Sequence, residues 1–236
     1  MNVDSMISRK LPIGIQSFEY LRREGYLYVD KTELVYRLVK LGKPYFLSRP
    51  RRFGKSLLLS TLEAYFLGKK ELFEGLAIGE LEQDWFTYPV LHLSLNAEKY
   101  DSKERLVNLL ESQLQSWEST YGVTEINRSY SIRFMTVIRR AYEQTGRRVV
   151  VLIDEYDKPM LRSFDNPELQ YEFRETLMAF YTVLKDADAY LQFVFITGVT
   201  KFAQMGIFSN LNQLQDISLH PAYTCLLYTS DAADDK

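Results

Sequence analysis

Residues 44–67 read Pro44-Tyr-Phe-Leu-Ser-Arg-Pro-Arg-Arg-Phe-Gly-Lys-Ser-Leu-Leu-Leu-Ser-Thr-Leu-Glu-Ala-Tyr-Phe-Leu67, and this stretch decides the fold. An apolar strand at 44–48 runs into a basic loop. A helix follows directly, from Lys55 to about Leu67, with Leu58, Leu59, Leu62 and Phe66 at spacings of three and four. The loop, Arg49 to Ser56, matches the phosphate-loop pattern G-x-x-x-x-G-K-[ST] everywhere except its first position, where Arg49 replaces glycine. Each matching residue type has a physical reason. Gly54 lets backbone N–H groups approach phosphate oxygens, and the N-terminus of the following helix adds partial positive charge. Lys55 can reach the β and γ phosphates, and the Ser56 hydroxyl can ligate Mg²⁺. Arg49, Pro50, Arg51, Arg52, Phe53, Gly54, Lys55, Ser56 and Leu57 are therefore the expected nucleotide-binding residues.

Outward from this loop, apolar runs alternate with helical patterns, the sign of an α/β domain with a largely parallel sheet. Strands are expected at 26–29, 90–95, 149–153 and 190–197, with a short one at 216–219. Helices are expected at 31–41 (Leu34, Leu38 and Leu41 on one face), 103–117, 130–144 and from Pro167 onward. Val149 to Ile153 is continuous and apolar, as a strand buried on both faces must be.

That strand ends in Asp154-Glu155, the Walker B pattern. Acids at the C-terminal end of a buried parallel strand face the crevice where ligands bind. Asp154 is the expected Mg²⁺ residue with Ser56. Glu155 is the expected catalytic residue that orients water, alongside Lys55. Thr197, at the tip of the 190–197 strand, is the candidate γ-phosphate contact; a hydroxyl that merely satisfies the strand end accounts for it equally well.

The whole chain carries 29 basic and 31 acidic residues among 236, so global charge gives no argument for nucleic acid or an anionic membrane. The local distribution differs. Between Leu34 and Leu62 there is no acid, while Arg37, Lys40, Lys43, Arg49, Arg51, Arg52 and Lys55 are all present. These are expected to converge on the phosphate loop, with Arg51 and Arg52 nearest. One cysteine excludes a disulfide framework, and two histidines leave little for a zinc site. No apolar run is long enough to span a bilayer, and a reducing cytoplasm is the default compartment.

The chain resembles the bacterial AAA-ATPase-like family of P-loop proteins. The resemblance rests on Lys10-Leu-Pro-Ile-Gly14, Tyr28-Val-Asp-Lys-Thr32, Arg49 to Ser56, Leu152-Ile-Asp-Glu-Tyr-Asp157, Phe195-Ile-Thr-Gly-Val-Thr-Lys-Phe202, Gly206 to Asn212 and Asp216-Ile-Ser-Leu219. It implies a three-layer α/β/α P-loop NTPase sandwich of the additional-strand type, with the Thr197 strand between the phosphate-loop and Walker B strands. It implies that Tyr28 to Thr32 lies near the nucleotide, and that Arg49 belongs to the family's own loop pattern. Members often carry a C-terminal domain similar to PD-(D/E)-x-K nucleases, which would bring a nucleic-acid partner.

The resulting expectation is a P-loop domain over 25–224 preceded by an N-terminal extension, 1–24. Residues 225–236 read as a non-native tail replacing further sequence. The expected ligands are ATP and Mg²⁺, with slow hydrolysis serving a C-terminal effector. Two alternatives stand beside it: a nucleotide-binding switch or scaffold without turnover, and a nucleic-acid-binding module built on the basic 34–62 stretch. No membrane partner is expected, and no oligomeric state is legible.

Overall fold

The computed structural model describes residues 10–42, 44–124, 128–201, 207–208, 214–223 and 226. Its centre is a five-stranded sheet of β1 (Pro44–Ser48), β2 (Val90–Ser94), β3 (Val149–Asp154), β4 (Leu191–Gly198) and β5 (Gln215–Asp216). The order is β2-β3-β4-β1-β5. Every pairing is parallel. The additional strand β4 thus separates β1 from β3, as the resemblance implies.

Alternation along the strands divides the core into two layers. Val149, Val151 and Ile153 face α5 (Lys103–Tyr121), α6 (Tyr130–Thr145) and α8 (Pro167–Asp186). Val150 and Leu152 face the opposite layer, with α1 (Phe18–Arg23), α2 (Thr32–Leu41), α3 (Lys55–Phe66) and α4 (Ala77–Leu81). A strand covered on both faces has no polar side to present, which explains the unbroken apolar run of β3. On α5, Leu106, Leu110, Leu114 and Trp117 are buried, and on α8 Phe173, Leu177, Tyr181 and Leu184, with Leu109 and Leu169 partly buried beside them. Gly122 and Gly146 close α5 and α6 in the left-handed conformation.

Four expectations change. Residues 26–29 form no strand. Leu27 N–H donates to the Lys10 carbonyl, and the Tyr28 ring packs edge-on against Phe18 at 5.2 Å. The run covers α1 instead of joining the sheet. On α2 the buried face is Thr32, Val35, Leu38 and Val39, while Leu41 is 60% exposed. The apolar stripe is rotated about one position from the leucine spacing. The last strand pairs only at Gln215 and Asp216, after which Ile217 N–H donates to the Phe46 carbonyl and the chain turns.

The fourth change concerns the N-terminal extension. Phe18 and Leu21 of α1 are fully buried in the same cluster as Leu58, Leu59 and Leu62 of α3. Phe18 N–H donates to the Ser60 hydroxyl, and Arg22 donates to the carbonyls of Leu72 and Glu74. Residues 17–24 are therefore part of the packed domain. Within the expected tail, Leu226 is the described residue, and it is buried in this cluster.

Candidate functional site

The C-terminal ends of β1, β3 and β4 lie side by side, and three loops leave them. The first loop, 49–54, depends on two left-handed residues, Arg52 at φ 69° and Gly54 at φ 79°. Gly54 caps α3, so the loop turns directly into the helix N-terminus. Arg49 N–H donates to the Gly198 carbonyl at 3.1 Å, fixing the loop's root to the end of β4. The Lys55 side chain folds back over the loop and donates to the carbonyls of Arg49 and Pro50, both at 2.9 Å. Burial pushes its ammonium pKa down, against the opposing pull of the Glu155, Asp154 and Asp157 carboxylates.

The second loop follows β3. The Ser56 hydroxyl donates to Asp154 Oδ2 at 2.6 Å, and the Thr197 hydroxyl donates to Asp154 Oδ1 at 2.6 Å. Asp154 is thus held from both sides by neighbouring elements. Glu155 has φ 53°, and its N–H is directed at the Thr197 hydroxyl at 3.4 Å. A non-glycine residue in this region costs about 1–2 kcal/mol. Asp157 is fully buried and accepts from the N–H groups of Val199 and Thr200 and from the Thr200 hydroxyl. It ties the loop after β3 to the third loop, after β4.

These loops border a cleft of about 870 Å³, lined by Arg51, Arg52, Gly54, Lys55, Ser56, Leu57 and Glu155. That volume lies within the range of small-molecule sites. Segment 12–16 also lines it, and Asn96, Lys158 and Arg162 complete the lining. A second, apolar pocket of about 360 Å³ shares Pro12, Gly54 and Leu57 with it. Tyr28, Val29, Lys31 and Phe53 line this pocket. Arg49 and Pro50 contribute their carbonyls beneath Lys55 and do not line the cleft. Thr197, expected to meet the γ-phosphate, is fully buried with its hydroxyl on Asp154.

A family model described as Predicted AAA-ATPase matches residues 12–208. The chain belongs to this family. The family's description is of predicted ATPases, a class of nucleotide-binding proteins. The match begins at residue 12, where the chain enters the cleft wall. A relative from Azotobacter chroococcum mcd 1, an uncharacterized protein in the vnfD 5′ region, is 42% identical over 232 residues. The alignment covers 97% of this chain and 45% of that protein, so the chain spans about half the relative's length. No solved structure matches.

Among the described bases, Arg37 and Lys40 are engaged elsewhere than at the cleft. Arg37 pairs with Glu33 one turn away at 2.5 Å, and Lys40 pairs with Glu82 of the 82–89 segment at 2.8 Å. Both sit on α2, and neither lines the cleft. Lys43 lies outside the described residues. Arg51, Arg52 and Lys55 remain at the cleft.

The sequence reading missed Asn96, Lys158, Arg162 and segment 12–16. Lys158 had a local signal, since it stands three residues beyond Glu155. Asn96 and segment 12–16 reach the cleft only through tertiary packing. No helix among the described residues is long and apolar enough to cross a membrane.

Proposed function

We propose that the cleft binds ATP with Mg²⁺ and hydrolyses it slowly. The observation that carries this reading is the 2.6 Å contact of Ser56, which lines the cleft, with the buried Asp154, while Lys55 and Glu155 line the same cleft. Two hard oxygen donors 2.6 Å apart, one of them a carboxylate, suit a small divalent cation that keeps several waters. Ser56 and Asp154 would hold Mg²⁺, which would neutralise charge on the β and γ phosphates. Lys55 and the loop N–H groups bind the phosphates. On binding, the Lys55 ammonium exchanges the Arg49 and Pro50 carbonyls for phosphate oxygens. Glu155 orients and polarises the attacking water. Thr197 acts through Asp154, by holding one carboxylate oxygen in place. The adjoining apolar pocket, with Tyr28 and Phe53, accommodates the base.

The extra length of the relative leaves room for an effector on which such an ATPase acts. The nucleic-acid reading of the 34–62 stretch loses support, because Arg37 and Lys40 are paired with the carboxylates of Glu33 and Glu82.

ATP affinity and turnover of wild type, Lys55→Ala and Glu155→Gln test the proposal. Lys55→Ala is expected to lose nucleotide binding by at least about tenfold, the effect of one lost charge-assisted contact of roughly 1.5–3 kcal/mol. Glu155→Gln is expected to bind normally and lower turnover by about 10²-fold or more. Unchanged binding in the lysine variant overturns the site. Binding without phosphate release in wild type favours the switch.

A further inference from the structure

Lys158 is a cleft residue that the phosphate loop and Walker B pattern do not account for. It opens the short helix α7 (Lys158–Arg162), and its N–H donates to the Glu155 carbonyl at 3.0 Å. The left-handed backbone at Glu155 makes this tight turn and brings the side chain of residue 158 back over residue 155. The Lys158 ammonium then stands 3.9 Å from Glu155 Oε2. It also donates to both the carbonyl and the side-chain amide oxygen of Asn96, just beyond β2. The lysine and glutamate side chains are 12% and 16% exposed, so their attraction is only partly screened.

An ammonium has three donors. Two go to Asn96, and the Glu155 carboxylate stands beside the ammonium at an ion-pair distance. A phosphate would have to compete with both for this lysine. Lys55 and Arg51 already supply positive charge on the phosphate side of the cleft.

We propose that Lys158 is a positioning residue for Glu155. Asn96 anchors the ammonium, and the ammonium holds the Glu155 carboxylate at the orientation from which it polarises water. This rests on the reading of Glu155 as the water-orienting group. It adds a link from β2, across the cleft floor, to the reacting centre.

Steady-state turnover and equilibrium nucleotide affinity, measured on the full chain with ATP and Mg²⁺, test it. The variants are Lys158→Met, Lys158→Arg, Asn96→Ala, Glu155→Gln and the double Lys158→Met/Glu155→Gln. Lys158→Met is expected to lower kcat by about 10–10²-fold, the scale of a misplaced catalytic group, with affinity nearly unchanged. Lys158→Arg restores part of the loss, and Asn96→Ala lowers kcat less than Lys158→Met. The double variant is no slower than Glu155→Gln alone, because residues acting as one unit are not additive.

Unchanged kcat in both Lys158→Met and Asn96→Ala overturns the proposal. So does a tenfold loss of ATP affinity in Lys158→Met, which would make Lys158 a phosphate contact. Multiplicative effects in the double variant also overturn it, as does a wild type without turnover. If Lys158→Met fails to fold, Asn96→Ala and Lys158→Arg carry the test. Loss of binding in Lys55→Ala together with loss of turnover in Glu155→Gln keeps the site reading intact whatever Lys158 does. Normal binding in Lys55→Ala removes the site reading instead.

Discussion

Asp154 has both carboxylate oxygens committed to hydroxyls, Ser56 on one side and Thr197 on the other. Removing one of them has a calculable result. Thr197→Val keeps the shape and deletes the donor to Oδ1 inside a fully buried site. Leaving a buried acceptor short of a partner costs about 1–3 kcal/mol. The expected outcome is that loss in urea unfolding, with Mg²⁺-dependent ATP affinity weakened and Mg²⁺-free affinity unchanged. Strand-end position was legible in the sequence, since an apolar run followed by a hydroxyl locates Thr197 at the tip of β4. The direction of its hydroxyl was not legible. That depends on the register of β4 against β3, where Ile196 pairs with Ile153 and sets Thr197 beside Asp154. Gly198, the next residue, is equally constrained. A Cβ there would lie 2.3 Å from the Tyr156 ring and 3.0 Å from Asp157 Oδ1. The ring is held in place, because its hydroxyl is bonded to the Thr200 carbonyl and it packs at steep angles on Phe46 and Phe208. Gly198→Ala is expected to destabilise by about 1–3 kcal/mol, the cost of overpacking. Denaturant midpoints read this directly.

At the scale of elements, the long pieces were legible and the short ones were not. β1, β3 and β4 are continuous apolar runs because helices cover both faces. α5 and α8 carry a repeating stripe over 19 and 20 residues. α1, α4 and α7 have six, five and five residues, too few for a period to emerge. Their places are set by contacts that no local pattern encodes. Glu82, just past α4, is such a contact. Its side chain is 2% exposed, accepts from Lys40 at 2.8 Å and Tyr65 at 2.5 Å, and receives the Asp84 N–H. Burial alone would raise its pKa, but these three donors outweigh burial and hold it below the ordinary carboxylate value. A depressed folded-state pKa contributes stability above the unfolded value of about 4.3, and that contribution is lost as pH falls through the lower folded value. Stability measured against pH is therefore expected to drop in the acid range below 4.3. Glu82→Gln is expected to flatten that drop and to cost about 1–3 kcal/mol near neutrality.

For the molecule as a whole, the N-terminal segment joins folding to ligand binding. Segment 12–16 lines the same cleft as Lys55 and Glu155, and α1 follows at once and buries Phe18 and Leu21 completely. The wall is thus anchored through α1 to α3, the helix that begins with the phosphate loop. The sequence sets residues 1–24 apart as an extension, whereas packing makes Phe18 and Leu21 part of the core. Phe18→Ala tests both roles together. Deleting a fully buried phenylalanine costs about 3–5 kcal/mol, so the unfolding midpoint falls. Ligand that binds only the folded state adds RT ln(1 + [L]/Kd), about 2.7 kcal/mol at a hundredfold excess over Kd. Urea unfolding of wild type with and without ATP and Mg²⁺ should show that increment, and Lys55→Ala should not. In Phe18→Ala the increment at the same ATP concentration is expected to be smaller than in wild type, because the unanchored wall weakens Kd. An equal increment would mean that α1 stabilises the fold without shaping the cleft.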